Sequence, residues 1–205
     1  MKLYYTPGAC SLAVHIAARE AGAPIALEKV DLATRKTETG ADFSAINPKG
    51  YVPAVALPDG EVLTEAAALL LFVADGQPEA GLVPAPGTIE RHRLHEWLTF
   101  ITSEIHKGFG PLWNPTTPDA VRQATKDKLA QRFAYLDKVL ASRPYLTGER
   151  FTVADGYLFT TVNWSNYHAV DLAPYPNLRA FLDRVAARPK VQEALAAEGL
   201  LKQAA

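Results

Sequence analysis

A chain of 205 residues, 48% of them apolar and 21% charged, is long enough for one large or two small domains with a full core. Its formal charge of −1 and pI near 6.5 give no general electrostatic reason to expect nucleic acid or an anionic membrane as a partner. The lone cysteine excludes an intrachain disulfide, and the longest apolar run, residues 66–74, falls far short of the ~20 residues that span a bilayer. Because Met1-Lys2 leads straight into a strand pattern with no secretory apolar segment, a cytoplasmic location is expected.

Leu3, Tyr4 and Tyr5 have strand propensity, Pro7-Gly8 breaks the strand, and helical periodicity begins at Leu12 and Ile16. Cys10 therefore stands at a helix start. The unpaired N–H groups and positive dipole end there should make a thiol more acidic than a free one, with its pKa of about 8.5, and so favour thiolate chemistry. The competing reading is a buried, inert cysteine. Position 13 is alanine, so there is no dithiol motif and any redox role must be monothiol.

The first helix is predicted from about Ser11 to Ala21, with Gly22 as its stop and Pro24 barring continuation. A second strand follows at 25–30. Residues 31–45, which carry Arg35 and Lys36, have mixed periodicity and read as a loop or a short irregular helix. In Asn47-Pro-Lys-Gly-Tyr-Val-Pro53, Pro48 and Gly50 force a turn and Pro53 precedes a strand-like run at 54–57. A cis bond before Pro53 would turn the Val52 backbone outward, its N–H and C=O free to pair with an extended peptide; a loop with trans bonds is the ordinary alternative. Pro58-Asp-Gly60 makes a hairpin to residues 61–63, and Thr64 is expected to cap an apolar helix that has Glu65 in its first turn and ends near Asp75-Gly76. This order, βαβ, loop, ββα, is the thioredoxin-like plan of a mixed four-stranded sheet with helices on both faces.

Pro- and Gly-rich residues 77–87 carry no strand or helix signal, and the rest of the chain reads as helix at about 89–108, 118–141, 153–166, 177–188 and 190–198. Thr117-Pro118 looks like a cap with proline at the first helical position, and Thr152 with Asp155 has capping-box spacing. The predicted class is α/β plus all-α: a thioredoxin-like domain at 1–80, a linker at 81–87 and an all-helical domain at 88–205. On the helix from residue 89, Leu94, Trp97, Leu98, Ile101 and Ile105 form an apolar stripe, and His95, Thr99, Thr102, Ser103 and His106 a polar one, which by itself need only face solvent.

The chain resembles the cytosolic glutathione transferases, specifically their bacterial beta class. The matching residues are Lys2-Leu-Tyr-Tyr-Thr-Pro-Gly-Ala-Cys-Ser11, Asn47-Pro-Lys-Gly50, Val52-Pro53, Leu63-Thr-Glu-Ala66, Ser103-Glu-Ile-His-Lys-Gly108 and Phe151-Thr-Val-Ala-Asp155, spread over nearly the whole chain in order. The resemblance implies glutathione as co-substrate with no further cofactor, a second-substrate pocket supplied mostly by the helical domain, a small hydrophobic electrophile and a homodimer. Cys10 and His106 match the two residues that mark the beta class around the glutathione sulfur; other classes use a tyrosine or serine, which makes Tyr5 and Ser11 the runners-up.

The same resemblance implies a glutathione-binding set. The Val52 backbone would pair with the cysteinyl part, and Glu65 with Ala66 would hold the γ-glutamyl end at a helix start. Arg35 would stand near the glycyl carboxylate, where a lysine is more usual. Thr99, Ser103, Glu104, Ile105 and His106 would contribute from the helical domain, Thr99 standing where an amide is more usual. Phe109, Trp113, Trp164, Tyr167 and His168 are candidates for an apolar pocket, against the commoner reading of aromatics as core. Two other functions fit parts of the pattern: a glutathione-dependent thiol-disulfide oxidoreductase or reductive dehalogenase using Cys10 as the attacking group, and a non-catalytic binding protein for apolar ligands.

Overall fold

In the computed structural model, which describes residues 1–201, the chain falls into two compact units: Met1–Val83 together with residues 188–201, and Pro84–Ala187. The break after Val83 lies inside the predicted linker.

The first unit contains β1 (Lys2–Tyr5), α1 (Ser11–Ala21), β2 (Ala26–Asp31), β3 (Lys36–Thr37), α2 (Phe43–Ile46), β4 (Ala54–Ala56), β5 (Val62–Thr64) and α3 (Ala66–Asp75). A single 3₁₀ turn follows at Pro78–Ala80. The sheet is mixed, in the order β3-β2-β1-β4-β5, with β1 parallel to β2 and antiparallel to β4. It has five strands rather than four. The extra one, β3, is a two-residue edge strand inside the polar stretch read as a loop or a short irregular helix, too short to show alternation, and it pairs antiparallel with Val30 and Asp31.

One face of the sheet packs Tyr4, Val30, Val52 and Ala54 around Phe43 of α2, with the Tyr4 and Phe43 rings 5.7 Å apart. On the other face Leu3 and Val55, opposite each other in register, are fully buried. There α1 and α3 pack together, with Ile16, Leu69 and Leu70 fully buried. The first eight residues of α1 are all buried, and the helix ends on Gly22 in the left-handed conformation (φ 65°), as predicted. A helix buried this completely must pair any polar residue it carries. His15, fully buried, does so through Glu198, whose carboxylate accepts from His15 Nδ1 at 2.9 Å and from the Gly8 N–H at 3.0 Å.

Those contacts correct the expected boundary of the second domain. The helix α10 (Pro189–Ala197) packs on α1, and Arg188 forms a two-pronged ion pair with Glu20 at 2.6 and 2.7 Å, so the segment from Arg188 onward belongs with the first unit. Helical periodicity says that a segment is a helix, but not which core it covers.

The second unit is helical among its described residues: α4 (Ile89–Phe100), α5 (Gly110–Trp113), α6 (Asp119–Leu140), α7 (Val153–Val162), α8 (Ser165–His168) and α9 (Pro176–Ala186). Between α4 and α5 lie a π-helical segment, Ile101–His106, and a 3₁₀ turn, Lys107–Phe109. The straight helix predicted to residue 108 thus changes its winding at Ile101. Thr102 and Ser103 donate their hydroxyls back to the carbonyls of Leu98 and Thr99 at 2.8 and 2.9 Å, a local competition that bends helices. Gly108 lies just beyond, in close approach to Leu129: a Cβ there would sit 3.1 Å from Leu129 Cδ2, so that side chain would have to give by a few tenths of an ångström.

Every residue of α7 is buried. Its start is fixed as the spacing predicts: Asp155 Oδ2 accepts from both the N–H and the hydroxyl of Thr152, and Oδ1 from the Leu146 N–H, all at 2.8 Å. Two other expected caps are displaced. Thr64 ends β5, leaving Glu65 in the cap position of α3, and Pro118 rather than Thr117 is the cap of α6.

Candidate active site

In the first unit the candidate residues gather around the start of α1 and the Asn47–Pro53 turn. Asn47, buried, shapes that turn by donating its amide to Tyr51 O (2.8 Å) and accepting from the Lys49 N–H (3.2 Å). Beyond it the Val52-Pro53 bond is cis. Cys10 is the cap residue of α1 and is almost wholly buried, and its Sγ donates to the Val52 carbonyl oxygen at 3.2 Å. The expectation that both Val52 backbone groups would be free is therefore half corrected: the carbonyl holds the Cys10 thiol, while the N–H has no partner among the described residues. That hydrogen bond is one that only the protonated thiol can make, and it opposes the pull of the helix end toward thiolate.

The loop that delivers Cys10 is held from several sides. Ser11 is fully buried, its hydroxyl bridging the Thr6 N–H and carbonyl at 3.2 Å each, and the Thr6 hydroxyl donates to Val30 O at 2.8 Å. Glu198 holds Gly8, and Arg19 Nε donates to His15 Nε2 at 3.2 Å. Tyr5 is buried in β1, where burial and the charges of Glu198 and Glu38 push its phenol above the ordinary range and keep it a neutral hydroxyl. Of the two runners-up, Ser11 thus spends its hydroxyl on the loop around the cysteine, while Tyr5 keeps a phenol hydrogen to donate.

Glu65 precedes α3 with φ 71°, a conformation uncommon for any residue with a side chain. Its Oε1 accepts from Lys49 Nζ at 2.8 Å and from the Tyr51 hydroxyl at 2.7 Å. The bond to Glu65 raises both the Lys49 ammonium and the Tyr51 phenol above their ordinary values. Lys49 and Tyr51 were missed as site residues, although the turn that carries them was singled out; Lys49 stands between the two residues that force that turn. Ala66, small and buried, opens α3. Arg35, itself at φ 56°, lays its guanidinium over Gly50, where a Cβ would be 3.5 Å from Nη1. Arg35 and Lys49 therefore place two cations at one turn.

In the second unit the change of winding splits the predicted polar stripe. Thr99 and Ser103 face solvent, whereas Thr102 and His106 are half-buried against α7. There His106 Nδ1 lies 2.6 Å from the Tyr157 hydroxyl. Glu104 is engaged within the unit by Arg132 Nε at 2.6 Å, which holds its carboxyl below the usual carboxylate range, and by Lys128 at 3.7 Å. Ile105 has its side chain fully buried in the core, so only its backbone can meet a ligand.

From His106 an aromatic array leads outward: Trp164 at 5.0 Å between ring centroids, then Trp113 at 5.6 Å from Trp164, with His168 at 4.2 Å and Tyr167 at 6.3 Å from Trp113. Phe109 and Trp164 are buried, while Trp113 and Tyr167 are exposed. Burial, with the nearby charges of Arg122 and Lys126, pushes the His168 imidazole down and keeps it neutral. Among the described residues no cluster suited to a metal ion occurs, and no helix is long and apolar enough to cross a membrane.

A thioredoxin-like sheet whose cis-proline edge meets a cysteine at a helix start, followed by a helical unit, defines a class that sequence comparison makes specific. Residues 8–75 match the N-terminal domain, and residues 104–198 the C-terminal domain, of glutathione S-transferase. The chain is 44% identical over 200 residues to glutathione S-transferase GstA of Escherichia coli O157:H7, covering 98% of this chain and 100% of that protein. It belongs to the glutathione S-transferase family. Among solved structures, it is similar to a sphingomonad glutathione S-transferase complexed with glutathione (50% identity, TM-score 0.94) and to the bacterial beta-class enzyme of Sphingomonas chungbukensis (49%, TM-score 0.95). Each comparison covers 98% of this chain and 100% of the other, and within the family the chain is of that beta class.

Proposed function

We propose that this protein is a glutathione transferase that joins the glutathione thiolate to small hydrophobic electrophiles. The observation that carries the reading is the meeting of Cys10 Sγ with the Val52 carbonyl at the cis Pro53 turn, beside the Glu65 carboxylate at the start of α3. A peptide laid along Val52 would pair with its N–H, as an added strand does. Its ammonium group would meet Glu65, and its carboxylates the first N–H groups of α3 and the cations Arg35 and Lys49.

Glutathione's thiol loses its proton to water, the sulfur lone pair attacks the electrophilic carbon, and the leaving group departs with its bonding electrons, giving a thioether. The enzyme's contribution is to stabilise the thiolate. Donors at the start of α1 and from His106 serve that end, each worth about 1–3 kcal/mol as a hydrogen bond to a charged group. Cys10 supports the sulfur in conjugation and is the attacking group only in thiol-disulfide exchange. The exposed rings of Trp113 and Tyr167 suit a flat apolar electrophile.

A homodimer is proposed as the working form, and a cytoplasmic location suits a sequence with a single cysteine. The experiment is to measure conjugation to an activated aryl halide and reduction of a glutathione mixed disulfide in wild type, Cys10→Ala and His106→Ala. Wild type should conjugate, Cys10→Ala should keep appreciable conjugation and lose disulfide exchange, and His106→Ala should lose mainly turnover. No conjugation in wild type refutes the reading, and its complete loss in a folded, glutathione-binding Cys10→Ala refutes the supporting role of Cys10.

A further inference from the structure

Tyr157 is the one large polar side chain that the fully buried helix α7 presents to His106, and the reaction as proposed above gives it no part. Its residue is 1% exposed, its hydroxyl lies 2.6 Å from His106 Nδ1, and its ring stands edge-on to the imidazole at 5.8 Å. Trp164, also buried, meets the same imidazole edge-on at 5.0 Å. One hydrogen bond and two ring contacts thus fix the imidazole plane, and the groups that supply them sit in a close-packed core with little freedom to move.

The direction of the hydrogen bond follows from the neighbouring hydroxyl. Thr102 has a single hydroxyl hydrogen and commits it to Leu98 O at 2.8 Å, while its separation from the Tyr157 oxygen is a long 3.4 Å. With the Tyr157 hydrogen on the line to His106 Nδ1, both hydroxyls make short bonds. The reverse arrangement, with Nδ1–H donating, turns the phenol hydrogen toward the distant Thr102 oxygen. A neutral imidazole that accepts at Nδ1 carries its hydrogen at Nε2.

We infer that Tyr157 is a positioning residue that holds His106 as the Nε2–H tautomer, so that the imidazole is a ready hydrogen-bond donor to an anion without first taking up a proton. The inference rests on the reading of His106 as a thiolate donor, and its test separates the two. An Nδ1–H tautomer would present Nε2 as an acceptor, which repels a thiolate.

The test begins with the unmutated protein carrying ¹⁵N-labelled histidine. Long-range ¹H–¹⁵N correlation of the five imidazoles distinguishes the tautomers, and comparison with His106→Gln assigns the His106 signals. The expected spectrum shows His106 with its hydrogen on Nε2; a hydrogen on Nδ1 overturns the inference, without recourse to any variant of Tyr157. Tyr157→Phe, which removes only the hydroxyl, should then give a mixture of tautomers and lower kcat for conjugation about 5- to 10-fold, the value of one hydrogen bond, with the KM for glutathione little changed. An unchanged tautomer in Tyr157→Phe also overturns the inference. A redistributed tautomer with undiminished kcat upholds the positioning and removes His106 from the chemistry instead.

Discussion

Glu65 is the residue where the backbone and the side chain can be tested apart. At φ 71° and ψ 115° it occupies a region that costs a residue with a Cβ about 1–3 kcal/mol and costs glycine almost nothing. Its carboxylate takes hydrogen bonds from Lys49 and Tyr51 at the surface, where solvent leaves such pairs little net effect on stability. Compare, then, Glu65→Ala with Glu65→Gly. Both lose the carboxylate, but only glycine relieves the backbone, against an entropic cost of about 0.4–1 kcal/mol from its freer unfolded chain. The glycine variant should be the more stable by about 1 kcal/mol in equilibrium urea unfolding with matched slopes. Glutathione binding, read by titration calorimetry, should weaken in both variants alike by about 1–3 kcal/mol, or roughly 5- to 150-fold, as expected for a lost charge-assisted hydrogen bond. An alanine variant as stable as the glycine one would refute the argument from strain, and unchanged affinity would take the carboxylate out of the site.

Other outcomes follow from the fold. Burial disfavours the charge on Glu28, but the Lys2 ammonium and the hydroxyls of Thr39 and Thr37 outweigh it and bring the carboxyl from 4.5 down to about 2. A depressed carboxyl contributes stability above its unfolded pKa, so about 3 kcal/mol should be lost between pH 4.5 and pH 2, and Glu28→Gln should flatten the curve over that window in acid unfolding. Asp155→Ala strips the acceptor from three donors around the start of α7 and should cost about 2–4 kcal/mol in thermal or urea unfolding, with Thr152→Ala costing about 0.5–2 kcal/mol. A loss below about 0.5 kcal/mol in Asp155→Ala would mean that those donors find water instead.

The elements set by local chemistry were readable from the sequence. Gly22 ended α1 as predicted, Asp155 reached back to Thr152, and the Asn47–Pro53 segment made a turn with a cis proline beside the cysteine. What escaped depended on distant partners. The edge strand β3 exists because Val30 and Asp31 offer it a neighbour, and the segment from Arg188 groups with the first unit because Glu20 and His15 are there to receive it. The π-helical segment escaped for a different reason. Thr102 and Ser103 signal their back-bonding only weakly, yet the change of winding decides that Thr102 and His106 meet Tyr157 while Thr99 and Ser103 stay in solvent. Lys49 was legible as turn chemistry and hidden as an ionic partner of Glu65, sixteen residues away in sequence.

The Glu198 carboxylate, which grips Gly8 and His15, imposes an order of events on a chain made from its N-terminus. When the ribosome has released the sheet and α1, the anchor for the cysteine loop is still unmade, and at ordinary rates of translation it arrives on the order of ten seconds later. Until then His15 is a buried imidazole without its carboxylate, and the nascent sheet must wait while the whole of Pro84–Ala187 is synthesised between its two parts. A stop codon at or just before position 198 would therefore act on the oldest part of the polypeptide, loosening the loop that carries Cys10 while leaving the helices made in between untouched.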